Sequence, residues 1–325
     1  MIVAKFLIKW SGPDQVDQGG PRWTRVDHTQ SKTMKTTLFA AAFCLLLASF
    51  SFAQTNEINI IPKPNSVERN AGSFIFSSKT KIGWSNESSR IVATVFNEVV
   101  YRTFGFRLKI ADEKDKNVVY FVAAPGASGR VQKGEWYVLD VDSNEIKISG
   151  EENGLFYGMQ SLLQLLPLSK EKETKIPALK IFDSPRFPYR GMHLDVSRHF
   201  MPVEFVKKYI DLMSQYKFNT FHWHLTDDQG WRIEIKKYPK LTEIGSKRSE
   251  SHEGVYSTIF KGDGRPVEGF YPQEQIKDVV AYAKARYITV VPEIELPGHA
   301  SAALAAYPEL GKGCAAPNYK FEVKK

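Results

Sequence analysis

The rhythm of apolar and polar positions changes once along this chain. From Asn56 to about Ser184 two periods are mixed. SSRIVATVFNEVVYRTFG, residues 88–105, spaces its apolar residues as a helix does, between an opening Ser and a closing Gly. GLFYGMQSLLQLLP, residues 154–167, predicts an apolar helix stopped by Pro167. NVVYFVAAPG, WYVLDVDSNEIKISG and IPALKIF are short β-rich runs, with a hairpin turn expected at Asp142-Ser143-Asn144. EINIIPKPNSVE reads as an extended lead-in, so residues 54–184 are expected to form a small N-terminal α+β domain.

Pro185 and Pro188 then bracket a stiff linker, after which strand and helix alternate. GMHLDV is a strand, PVEFVKKYIDLMSQY a helix opening on Pro202, and FNTFHWHL a second strand. A polar, Gly-rich loop from Glu243 to Phe270 leads to the helix PQEQIKDVVAYAKARY and the strand ITVVPEIE. Such alternation builds parallel strands joined by helical crossovers. The expected fold class is α/β: the α+β domain, then an incomplete (β/α)8 TIM barrel of three βα units over residues 185–325. A closed barrel takes about 250 residues, and only 135 follow residue 190.

The first 53 residues read differently. MKTTLFAAAFCLLLASFSFAQ from Met34 has a Lys, an apolar run and small residues at Ser51 and Ala53. That is the layout of a signal peptide over 34–53 cleaved after Ala53, implying a secreted or periplasmic protein. The run is short for a membrane span of about 20 residues, so no stable span is expected. Residues 1–33 are aperiodic and are read as a spurious N-terminal extension. Cys44 lies in the leader, which leaves Cys314 alone and no internal disulfide. The net charge of +8 is scattered without a basic stripe, which argues against nucleic acid as a partner.

Candidate chemistry gathers at the strand ends, where a β/α barrel keeps its site. Asp195, Arg198, Asp227, Asp228, Glu295 and His299 supply carboxylates, a guanidinium fork and an imidazole suited to hydroxyl-rich ligands. Taken alone, Asp195 and Arg198 are also read as capping the following helix and pairing with each other. A second reading is a metal centre: His222 and His224 share one strand face, with His193 on the neighbouring strand. No further ligand is visible in the sequence, so no metal or other cofactor is expected. A third reading is a remnant that binds sugar without catalysis.

The runs LDVSRHF (194–200), HWHLTDDQGWR (222–232) and VVPEIELPGH (290–299) closely resemble the β-N-acetylhexosaminidases of glycoside hydrolase family 20. IIPKPNSVE and NGLFYGMQSLLQLL resemble that family's N-terminal α+β domain. The resemblance implies removal of terminal GlcNAc or GalNAc from glycans or chitin oligosaccharides by substrate-assisted retaining catalysis, in which the sugar's own acetamido oxygen attacks the anomeric carbon. It further implies that Arg198 grips the 3- and 4-hydroxyls, that Asp227 works with His299 beneath the acid, and that Glu295 belongs to the same polar support. The family's acid and acetamido-orienting pair sits in an H-x-G-G-D-E motif that is absent from these 325 residues. The only Asp-Glu dipeptide, Asp112-Glu113, lies in the first domain without the glycines. The chain is therefore expected to be a C-terminally truncated hexosaminidase, inactive as it stands.

Overall fold

The computed structural model describes residues 58–325, except 113–114, 125–134, 168–170, 172, 255–259, 314–319, 321 and 325. The leader, residues 1–33, Glu113 and Cys314 lie outside the described residues. Two sheets carry the fold, one mixed and one parallel.

The mixed sheet has seven strands: β1 (Ser66–Ser77), β2 (Lys81–Trp84), β3 (Lys109–Ile110), β4 (Val118–Ala123), β5 (Tyr137–Val141), β6 (Glu145–Gly150) and β7 (Glu173–Asp183), in the order β1-β7-β5-β6-β4-β2-β3. Two helices pack on it, α1 (Glu87–Phe104) and α2 (Glu152–Leu165), burying Phe96, Leu155 and Phe156 with Phe74, Phe76 and Phe121 of the strands. The expected hairpin is present: the Asp142 carboxylate accepts the backbone N–H groups of Asn144 and Glu145 between antiparallel β5 and β6. Helix α1 starts one residue before the opening Ser88, at Glu87. Asn86 is the N-cap, accepting the Ser89 N–H at 3.0 Å while the Ser89 hydroxyl accepts the Asn86 N–H, and Gly105 closes the helix at φ 82°. Strand β1 went unread because its first seven residues are exposed and lack alternation; pairing with β7 holds it.

The parallel sheet is formed by β8 (Gly191–Asp195), β9 (Thr220–His224) and β14 (Thr289–Glu293), with β9 in the centre. Helices α3 (Val203–Gln215) and α5 (Gln273–Lys284) are the crossovers, so the expected strand–helix alternation is present. Strand β9, Thr-Phe-His-Trp-His, shows the period of two that decides its faces. Phe221 and Trp223 are buried with Val206, Ile210 and Val279 of the two helices, which sends His222 and His224 to the opposite face. The expected polar loop holds structure of its own: ribbons β10 (Thr226–Asp227) with β11 (Gly230–Trp231) and β12 (Lys247–Arg248) with β13 (Val267–Glu268), and the short helix α4 (Lys240–Glu243). Helix α6 (Ser301–Ala306) follows β14.

Buried polar contacts join the two sheets on either side of the Pro-rich linker. Arg190 donates to both oxygens of Glu135 at 3.0 and 3.2 Å. Lys217 donates to Asp183 at 3.1 Å and to the Tyr137 hydroxyl at 2.9 Å. Among the described residues no helix is long and apolar enough to cross a membrane.

Candidate active site

Strand register places the chemistry. Asp195, His224 and Glu293 form one row across the parallel sheet, and His193, His222 and Val291 the row before it. Residues two apart share a face, so all six present the face turned away from the helices. Arg198 lies three residues beyond β8, Asp227 and Asp228 follow β9, and His299 follows β14.

Asp227 is the hub. It is 3% exposed, and its Oδ2 lies 2.7 Å from Arg198 Nη2 and 3.0 Å from His224 Nε2. Its Oδ1 accepts the Asp228 N–H at 2.7 Å and lies 3.4 Å from His299 Nδ1. Asp228 points elsewhere, accepting from the N–H and hydroxyl of Ser301 and pairing with Lys324 at 2.7 Å. Burial works to raise its carboxyl, but Lys324 and Ser301 outweigh that and lower it. His299 takes a left-handed backbone at φ 50°, uncommon for a non-glycine residue, and keeps its ring largely in solvent.

Arg198 is held on three sides while its side chain stays 41% exposed. Nη1 donates to Asp195 Oδ2 at 2.6 Å, Nε to Gln229 Oε1 at 3.0 Å, and Nη2 reaches Asp227. The other Asp195 oxygen accepts the backbone N–H groups of Ser197 and Arg198 at 2.9 and 3.0 Å. Asp195 and Arg198 thus do pair, but Asp195 caps no helix: α3 begins after Pro202 with no side-chain cap. Burial opposes the Arg198 charge, and Asp195, Asp227 and Asp228 outweigh it, raising the guanidinium further. The result is a rigid fork whose side chain stays partly exposed, which suits a polyhydroxyl ligand.

Glu295 enters through its backbone, its N–H donating to Thr226 Oγ1 at 2.8 Å. Among the described residues no ion pair joins it to Arg198, Asp227 or His299. The carboxylate brought into the cluster from this strand belongs to Glu293, whose Oε2 lies 2.6 Å from His224 Nδ1 and 2.7 Å from His222 Nε2. Burial would raise the Glu293 carboxyl, but the side chains of His224, Glu295 and His222 around it hold it at about 2.

Two buried arginines support the Arg198 loop, and the sequence reading singled out neither. Arg232, 0% exposed, donates from Nη2 and Nε to the Ser197 carbonyl at 2.8 and 3.2 Å, and from Nη1 to the carbonyls of Ser246 at 2.6 Å and Gly269 at 3.1 Å. Burial, with a further push from Arg248, lowers its guanidinium to about 10, which still leaves it charged at neutral pH. Arg248 donates to the Arg198 carbonyl at 2.5 Å and to Gln229 O at 3.1 Å. The available signal was that Arg232 ends a motif already flagged; its burial depends on distant loops.

Two family descriptions match this chain side by side: "Glycosyl hydrolase family 20, domain 2" over residues 57–184 and "Glycosyl hydrolase family 20, catalytic domain" over residues 187–325. The chain belongs to glycosyl hydrolase family 20. Among family members, the beta-hexosaminidase of Porphyromonas gingivalis is 43% identical over 299 residues, 85% of this chain and 36% of that protein. The beta-hexosaminidase of Vibrio furnissii is 40% identical over 255 residues, 78% of this chain and 40% of that protein. The chain thus spans well under half the length of either relative. In fold it matches the family 20 exo-β-N-acetylglucosaminidase of Vibrio harveyi, solved with N-acetylglucosamine, at TM-score 0.68 and 37% identity, covering 82% of this chain and 42% of that one. The family 20 β-N-acetylhexosaminidase of Streptomyces coelicolor matches at TM-score 0.70 and 31% identity, covering 84% and 53%.

Proposed function

We propose that this family 20 chain serves a β-N-acetylhexosaminidase-type glycoside hydrolase acting on terminal GlcNAc or GalNAc of glycans or chitin oligosaccharides. The observation that carries the reading is the Arg198 fork, fixed by Asp195 and Asp227 at 2.6 and 2.7 Å and open to solvent. In this reading the three parallel strands are the opening units of a TIM barrel, residues 54–184 form a separate α+β domain, and 185–325 belong to the barrel. Arg198 takes the 3- and 4-hydroxyls of the sugar. Asp227, paired with Arg198, works with His299 beneath the catalytic acid, and Glu295 extends the same polar support.

Hydrolysis in this family reading proceeds with retention, through attack by the substrate's acetamido oxygen. Proton donation there needs a carboxylic acid with a raised pKa. The H-x-G-G-D-E pair that would provide it is not among these 325 residues. This favours sugar binding without turnover for the chain as given. Ligand-detected NMR with N-acetylglucosamine, run beside an aryl N-acetylglucosaminide assay, tests the point. Saturable binding without hydrolysis is expected. Absence of binding by folded chain would overturn the sugar-site reading, and turnover would overturn its non-catalytic part.

Export belongs to the same proposal. If residues 34–53 act as a leader, N-terminal sequencing of chain recovered outside the cytoplasm will begin at Gln54; a mature chain beginning at or before Met34 contradicts it.

A further inference from the structure

The row arrangement that places Asp195 and His224 beside Arg198 also places three imidazoles around one carboxylate oxygen. Glu293 Oε2 lies 2.6 Å from His224 Nδ1, 2.7 Å from His222 Nε2 and 3.7 Å from His193 Nε2. Sequence spacing singles out only the histidines as ligands. Strand β14 supplies a carboxylate: Glu293 pairs in register with His224, and both face the same side as His193 and His222.

The contacts are short, yet they are not hydrogen bonds. Glu293 Oε2 is shielded from solvent and has no hydrogen-bond partner among the described residues. For His224 the other ring nitrogen bears on this. Nε2 lies 3.0 Å from Asp227 Oδ2, and a proton on Nε2 satisfies that carboxylate. Arg198 Nη1 is farther from Nε2, at 3.4 Å, and already donates to Asp195 at 2.6 Å. With its proton there, Nδ1 presents a lone pair to a carboxylate oxygen 2.6 Å away. Two acceptors at that distance are reconciled by a cation between them, a second proton on His224 or a metal ion, and three ring nitrogens converging on one oxygen suit the metal. A carboxylate holding the outer nitrogen of an imidazole is also how proteins orient a metal-ligating histidine.

We infer that His193, His222, His224 and Glu293 form a site for a late first-row divalent ion of the zinc class, with Asp227 orienting His224 from behind. Three imidazoles and one carboxylate are a donor set this class favours. The ligand atoms of His193, His224 and Glu293 lie within 4.8 Å of one another. Metal–ligand bonds of about 2.0–2.1 Å need ligand atoms roughly 3.3 Å apart in a tetrahedron. The Glu293 oxygen therefore has to withdraw by less than about 1 Å, which rotation of its terminal torsion supplies. The site lies on the sheet face next to the sugar-binding residues and is independent of whether a sugar binds there.

Cobalt(II) is the probe, because four-coordinate Co²⁺ gives intense visible bands and six-coordinate Co²⁺ gives weak ones. Titration of the full 325-residue chain is expected to develop a four-coordinate spectrum at one ion per chain, bleached by zinc. Glu293→Gln and His193→Asn should each weaken binding more than about 100-fold, beyond the loss usual for an outer-sphere change. His199→Asn, at an exposed histidine outside the cluster, should leave binding unchanged. His193 has a half-exposed side chain, so its variant keeps the test valid if Glu293→Gln fails to fold; circular dichroism reports which has occurred. A chain that gives no four-coordinate band, or whose band survives both variants, overturns the inference. So does a band lost on His299→Asn but not on Glu293→Gln, since that puts the ion among Asp227, Asp228 and His299.

Discussion

Arg232→Met is expected to destabilise the fold by about 3–5 kcal/mol, enough to unfold a domain of ordinary stability near the low end of the usual range. Replacing a buried ion pair by apolar residues can be neutral, because the desolvation cost of both charges disappears together. Arg232 has no such partner. Its guanidinium donates to the backbone carbonyls of Ser197, Ser246 and Gly269, and no side-chain substitution removes those acceptors. Methionine fills similar space yet leaves up to three carbonyls without donors, at about 1–3 kcal/mol for each one that stays buried. Lysine restores the charge but not the planar fork that reaches three acceptors at once, so Arg232→Lys should recover only part of the loss. Urea unfolding followed by tryptophan fluorescence checks both variants. A loss under about 1 kcal/mol for Arg232→Met would show that the loops rearrange to satisfy their own carbonyls.

Arg198→Ala is expected to weaken binding of N-acetylglucosamine by roughly 100- to 1000-fold while costing much less stability. A hydrogen bond to a charged group contributes about 1.5–3 kcal/mol, and two made by one fork to adjacent hydroxyls give about 3–4 kcal/mol, each 1.4 kcal/mol being tenfold. The stability effect is smaller because the Arg198 side chain is 41% exposed, so water screens its pairs with Asp195 and Asp227. Arg198→Lys should not restore affinity, since a single ammonium cannot hold Asp195 and Asp227 and still present two fixed donors. Calorimetric titration beside thermal unfolding separates the two effects. Binding within about twofold of the unaltered chain would remove Arg198 from the sugar site.

The two variants divide the work at this site. Arg232 touches no ligand; by fixing Ser197 O it sets the position of the neighbouring Arg198, and Arg248 does the same through the Arg198 carbonyl. The exposed fork is therefore only as rigid as the buried pair behind it.

Much of this was legible from local pattern. The helices α1, α2, α3 and α5 follow apolar spacing with Pro or Gly at their ends, and β8, β9 and β14 follow short apolar runs between them. Arg198 and Asp227 stand three residues past the ends of the strand runs of β8 and β9 and His299 six past β14, and the structure brings Arg198 and His299 onto the carboxylate of Asp227. Strand β1 and the small ribbons were not legible, since exposed or two-residue strands carry no periodic signal.

Residue order along the chain by itself determined the alternation of strand and helix, the faces of β9 and the family, because these depend on neighbours a few positions apart. Only the tertiary structure decided which acid joins the histidines. Glu293 and Glu295 both point to one side of the extended run VVPEIE, and composition cannot separate them. Parallel register does: it sets Glu293 opposite His224, 69 residues earlier, while the chain has left the strand by Glu295. Arg232 was decided in the same way, since the three carbonyls it holds come from segments up to 37 residues distant and meet only when the loops close over it.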